Sequence, residues 1–258
     1  MSEDQASSDR ESNRPGFLRA LLARHGAPVL AAAGATLGIV LGLYGLGLWA
    51  GAGDRMALLA SLAGATLWVA LASGVLAAGA EDGLGAVLRG GVTADAAAVA
   101  LLVLWALSPR LGFVPALEVY CTLAAVSLAG VAASRLASRR SGRLAAGVAA
   151  AIVLALALST PFWMGGILQA VGTDAQRRVA LLAVYGNPFY SVASAVAADA
   201  DFAWQQSGVL YRITRLGDYV PVPACPWYAA TVIYGLLAGI LAAVGVLTRK
   251  SRHPADVI

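Results

Sequence analysis

The sequence is short of charge, of lysine and of sulfur. Only 12% of its residues are charged, against roughly a quarter in an ordinary soluble domain, and that deficit argues for lipid as the solvent. Lys250 is the only lysine. Because Arg249 precedes it, a GxxxxGK[ST] phosphate loop is excluded, and with it ATP binding by that device. Cys121 lies within an apolar stretch and Cys225 just before the last one, so no disulfide is expected, and no metal-ligand spacing exists. His25 and His253 both fall outside the apolar spans, which excludes a haem held by two intramembrane histidines. It also leaves Ser73 without a histidine base inside the membrane. HExxH, CxxC and GxSxG motifs are missing. The chain is therefore read as no enzyme, with no catalytic residues, no metal, no cofactor and no nucleic-acid partner.

What remains is apolar. Of 258 residues, 59% are hydrophobic, and the mean hydropathy is +0.75. Alanine, leucine and glycine dominate, and such small side chains suit close helix packing. Measured against the roughly 20 apolar residues a bilayer requires, six spans are expected, at 27–49, 56–79, 92–108, 111–133, 144–163 and 227–247. The third is short, and Asp95 is placed near its start. Ser108-Pro109-Arg110 joins it tightly to the fourth, which predicts an antiparallel hairpin.

The flanks complete an all-α integral membrane protein. Residues 1–13 are polar and read as a disordered cytoplasmic tail. Residues 14–26 read as an amino-terminal interfacial helix, with Phe17, Leu18, Leu21 and Leu22 on one face and Arg14, Arg19 and Arg24 around it, ended by Gly26 and Pro28; a first turn of the next helix is the competing reading. The six-span domain occupies 27–250, and 251–258 forms a second cytoplasmic tail.

Charge predicts orientation. With the amino terminus inside, the inner side collects Arg10, Arg14, Arg19, Arg24, Arg89, Arg135, Arg139, Arg140, Arg143, Arg249, Lys250 and Arg252. The outer side keeps Arg55, Arg110, Arg177, Arg178, Arg212 and Arg215, half as many. This obeys the positive-inside rule, and Trp49, Trp105 and Trp227 then form an outer aromatic belt. Both termini are expected in the cytoplasm. The loop carrying Arg135, Arg139, Arg140 and Arg143 sets topology and touches anionic lipid; a protein contact is its other reading.

Two spans carry glycine ridges: Gly34, Gly38 and Gly42 in the first, and Gly235 with Gly239 in the last. They are expected to pack within the chain, with a dimer seam as the alternative. In the outer segment, 165–226, Thr173-Asp174 with Gln176 resembles a helix start. Asn187 should cap a second short helix that begins at Pro188. The two are read as re-entrant or interfacial helices between spans five and six. An amphipathic third piece and Pro221, Pro223 and Pro226 follow. Glu118 is read as the one carboxylate well inside a span, with a structural role ahead of a conducting one. Pro115 and Pro161 are expected to kink their helices.

The stretch 80–95, AEDGLGAVLRGGVTAD, is the candidate meeting point with a partner. Glu81 and Asp82 open it, Gly90-Gly91 should break it, and Leu84, Val87 and Leu88 share one side of a helical turn. A solvated connector is the plain alternative.

This layout resembles the type-2 permeases of ATP-binding-cassette transporters. Glu81, Gly83, Leu88, Val92 and Thr93 echo the order of that family's loop after the second span, and Asn187-Pro188-Phe189 resembles its element before the last span. The turn lacks the usual proline, mid-loop acid and following lysine. The resemblance implies a permease subunit, an exporter, in a bacterial plasma (inner) membrane. A separate ATP-binding subunit would drive it, through contacts at Glu81, Leu84, Val87, Leu88 and Arg89. A second permease copy, identical or not, would complete the path, with Asn187, Pro188 and Phe189 at the outer gate. The rival expectation is a non-transporting structural or assembly subunit of a larger membrane complex.

Overall fold

In the computed structural model, residues 14–108, 111–138, 142–197 and 225–250 are described. The expected tails, Arg139 and Arg140, and the third piece of the outer segment with Pro221 and Pro223 lie outside them.

Every regular element among the described residues is helical. The chain runs through α1 (Arg14–Trp49), α2 (Gly53–Ala78), α3 (Gly83–Leu107), α4 (Phe113–Ala137) and α5 (Arg143–Leu158). Four further helices follow: α6 (Thr160–Ala170), α7 (Thr173–Tyr185), α8 (Pro188–Ala197) and α9 (Tyr228–Lys250). Five stretches are long and apolar enough to cross a membrane: His25–Trp49, Gly53–Ala78, Gly83–Leu107, Phe113–Ala137 and Tyr228–Thr248. Two bent pairs, Arg143–Leu158 with Phe162–Ala170 (66°) and Ala175–Tyr185 with Pro188–Val196 (71°), would bring the total to seven if each counts as one span. Among the described residues the chain is all-helical, and its five to seven such segments fit a multi-pass membrane protein. Large apolar side chains face outward on helix after helix, among them Leu30, Leu128, Val153, Leu236 and Ile240. Lipid is the solvent that leaves such a surface unpenalised.

α2 and α4 form the centre. Leu58, Leu62 and Val69 of α2 meet Leu101 and Leu104 of α3 and Val119, Leu123 and Val126 of α4 in one buried cluster. α1 packs on α2 and α3, α5 on α2 and α4, and α9 chiefly on α4. Where α5 crosses α2 the backbones nearly touch. A Cβ on Gly147 would lie 2.8 Å from the Ala78 Cβ and 2.9 Å from the Gly74 carbonyl oxygen, so only glycine fits. The α1–α2 turn uses Gly51 and Gly53, both at φ +73°, a left-handed conformation that glycine adopts without steric penalty.

Helix polarity follows from two cross-links. Arg89, near the start of α3, is bonded to His25 of α1. Thr122, in the first half of α4, pairs with Thr231 in the first turn of α9. The entry to α1, the α2–α3 turn and the exit of α9 therefore share one side, called here the turn side. Trp49, Trp105 and Trp227 gather on the opposite, far side.

Several expectations need correction. The helix does not end at Gly26 and Pro28, because α1 is continuous from Arg14 to Trp49 with Pro28 inside it. Its 36 residues rise about 54 Å, well beyond the roughly 30 Å of hydrocarbon. Gly90-Gly91 breaks nothing: α3 runs unbroken from its Asp82 cap, so the third span starts nine residues before position 92. Packing explains this, since a Cβ on Gly90 would lie 2.3 Å from Val131 and 2.8 Å from the Ser73 carbonyl oxygen. Gly90 is a contact residue, whereas a Cβ on Gly91 would meet nothing within 4 Å. Pro115 does not kink α4, because it occupies the first turn, where a missing N–H is no loss. Pro161 does coincide with the 66° bend after α5. Among the described residues the glycine ridges meet no packing partner: Gly34, Gly38, Gly42, Gly235 and Gly239 have nothing within 4 Å of a built Cβ. α1 instead turns Ala32, Thr36, Val40 and Tyr44, spaced four apart, into the bundle.

Candidate functional site

The turn side is braced around one guanidinium. Arg89 donates from Nε to His25 Nδ1 (3.0 Å) and from Nη1 to the Gly79 carbonyl oxygen (2.9 Å). It thereby ties α3 to α1 and satisfies a carbonyl at the end of α2 that the helix leaves unpaired. His25 is buried. Since its Nδ1 accepts, its proton sits on Nε2, which faces the Asp82 carboxylate at 3.9 Å. Asp82 caps α3 by accepting from the Gly85 backbone N–H at 3.2 Å. Gly85 is buried beneath both: a Cβ there would meet Asp82 Oδ1 at 2.4 Å and His25 Cε1 at 2.6 Å. From α4, Arg135 Nη1 reaches the Glu81 carbonyl oxygen at 3.4 Å.

On this brace the first turns of α3 present an apolar face. Leu84, Val87 and Leu88 are 51%, 45% and 36% exposed, and Glu81 beside them is exposed. Four of the five residues expected to touch a partner thus share one open surface. Arg89 differs, being half-buried and directed inward as scaffold. Sequence reasoning gave His25 no role, having placed it outside the apolar spans. The available signal was a lone histidine on the face of α1 that becomes the bundle side once that helix is taken as continuous.

The far side has its own brace. Asp54, at the start of α2, accepts from Tyr44 OH of α1 (2.5 Å) and from Ser108 Oγ after α3 (2.8 Å). The residues expected at an outer gate lie on this side. Asn187 is fully buried and donates from Nδ2 to the carbonyls of Leu158 (2.9 Å) and Ala157 (3.4 Å). Its Oδ1 accepts from the Phe189 N–H at 2.9 Å. One amide therefore closes the end of α5 and opens α8, with Pro188 at the first helical position as the sequence suggests. Phe189 packs partly buried against the main core. α7 starts at Thr173 as read, but Gln176 turns back to the Leu168 and Val171 carbonyls instead of serving its own helix. Cys225, buried among Leu168, Val184 and Tyr190, lies 3.7 Å from Ser191 Oγ. Burial pushes its thiol above the ordinary range, against a smaller lowering from Ser191.

Beyond Asp54 at the start of α2, two carboxylates lie within the membrane-crossing helices. Glu118 is half-buried on the second turn of α4. Asp95 is the middle residue of the 25-residue α3, where the sequence reading had it near the start of a shorter span. It is exposed and accepts from Tyr120 OH at 3.1 Å. Among the described residues, no group of three or more His, Cys, Asp or Glu could hold a metal ion. Compared with known protein families, curated proteins and solved structures, the chain matches none.

Proposed function

We propose that this chain is the permease subunit of an ATP-binding-cassette exporter in a bacterial plasma membrane, with no ATP site of its own. In this reading α1 to α5 and α9 supply six spans, and the turn side is cytoplasmic together with both termini. α6 to α8 form re-entrant or interfacial helices at the outer gate around Asn187, Pro188 and Phe189. The observation that carries the reading is the open Leu84, Val87 and Leu88 surface on a turn braced by Arg89, His25 and Asp82. A rigid, apolar surface at the membrane rim suits a soluble partner, since exposed apolar clusters commonly mark interfaces. The partner is a separate ATPase. Its nucleotide-dependent closure would tilt two permease copies, identical or not, in proportion to its differential affinity for their two arrangements. The brace would transmit that tilt directly to α1 and α2.

The test is copurification in mild detergent. Leu88→Glu should abolish recovery of the ATPase while membrane insertion and elution of the permease stay unchanged. Undiminished recovery would sink the assignment of this surface, and nucleotide hydrolysis by the purified chain alone would sink the permease reading.

A second reading, a non-transporting assembly subunit, is favoured by the open glycine ridge on α1. A larger complex would use such a ridge to seat a neighbouring helix. Recovery of a multi-subunit membrane complex without any ATPase would select it.

A further inference from the structure

Asp95 stands at mid-length on α3, about 18 Å from either end of the helix. The exposed line through Leu88, Asp95, Val99 and Leu102 runs along the outside of this chain. A carboxylate at that depth against acyl chains costs several kcal/mol. The Tyr120 hydroxyl supplies one hydrogen bond, while an ionised carboxylate offers about four acceptor positions. Lipid is therefore the wrong neighbour for this face.

The surroundings indicate what suits it. Phe113 and Tyr120 lie seven residues apart on one face of α4, and each reaches α3. Tyr120 meets Asp95, and Phe113 meets Trp105 edge-to-face with ring centroids 5.8 Å apart. Phe113 and Trp105 are both about half exposed. The seam between α3 and α4 thus carries open aromatic rings toward the far side and a carboxylate at mid-depth. Of these rings only Tyr120 adjoins the carboxylate, and a negative charge beside an aromatic ring is the chemistry that recognises an ammonium group.

We propose that Asp95 and Tyr120 form a cation-binding position on a water-filled path along the α3–α4 seam, and that the species passing it bears an ammonium-like positive charge. That it is a transported species rests on the permease reading. The hydrated anionic site does not.

The experiment uses the full chain with Cys121→Ser and Cys225→Ser, reconstituted in phosphatidylcholine vesicles, and carries Val99→Cys one turn from Asp95. Two membrane-impermeant probes are applied: trimethylammonium-ethyl methanethiosulfonate and its anionic sulfonatoethyl counterpart. Both should modify residue 99, with the cationic reagent favoured about tenfold over its ratio on a free thiol. Asp95→Asn should return that ratio to the free-thiol value. Leu102→Cys gives the same reading should Val99→Cys fail to assemble, and Ile152→Cys on α5 should stay unmodified. If positions 99 and 102 resist both reagents, the seam faces lipid or another chain and the proposal fails. A charge preference that survives Asp95→Asn overturns it as well. No ATPase is present, so failure to recover one would end the permease reading without changing these rates.

Discussion

Arg89 Nε lies 3.0 Å from His25 Nδ1, joining residues 64 positions apart in the chain. The contact sits where the first helix, the end of the second and the start of the third converge. With the Arg89 and Arg135 bonds to the Gly79 and Glu81 carbonyls, it holds the α2–α3 turn in place.

Removing the acceptor should therefore loosen the turn side. His25→Phe keeps the ring volume but deprives Arg89 of its partner, and the half-buried site limits the loss to about 1–2 kcal/mol. Thermal unfolding of the purified protein should show the decrease. Arg89→Met, which also strips the Gly79 carbonyl of its donor, should cost more, and the double variant should lose less than the sum, because both changes break the His25–Arg89 bond. Full additivity would show that the two side chains are energetically independent.

Two glycines on helices of similar composition should respond oppositely to alanine. Gly147→Ala pushes a methyl into Ala78 and the Gly74 carbonyl and should destabilise the fold by about 1–3 kcal/mol. Gly38→Ala meets nothing within 4 Å and should hold or raise stability by up to about 1 kcal/mol. Thermal unfolding in one detergent compares them. A larger loss at Gly38 would show that another part of the assembly already sits on that ridge.

Cys225 should resist alkylation. Burial raises its thiol pKa, so the reactive thiolate is scarcer than in a free cysteine, and the walls formed by Leu168 and Val184 exclude reagent. N-ethylmaleimide at pH 7.5 should label it at least about tenfold more slowly than an exposed thiol, and fully after denaturation, as read by mass spectrometry. The sign for stability follows. Folding favours the neutral thiol, so this contribution is complete below the free-thiol pKa and is lost as pH rises through the higher folded value. Rapid native labelling would contradict the packing around α6, α7 and α8.

The sequence revealed helices readily because apolar runs of the right length admit few alternatives in a bilayer. Their ends were harder to read. Gly90-Gly91 and Pro28 look like stops under rules learned from water, where an opened backbone is easily solvated. Here Gly90 is locked between Ser73 and Val131, and the Ser127 hydroxyl donates to its carbonyl at 3.0 Å. Starting α3 nine residues too late also hid the mid-helix place of Asp95. The apolar surface of Leu84, Val87 and Leu88 and the cap at Asn187 were legible, since both depend on neighbours within four residues. The His25 contact was not, because no local pattern announces a partner so distant in the chain.

α9 joins the bundle mainly along α4, sinking little more than Ala229, Ala230, Tyr234 and Ala238 into it. It follows α1 to α5 in the chain, so those helices are made before it. Until α9 is made, the strip of α4 around Thr122 that it covers is left to the bilayer, and the Thr122 hydroxyl is without its Thr231 partner.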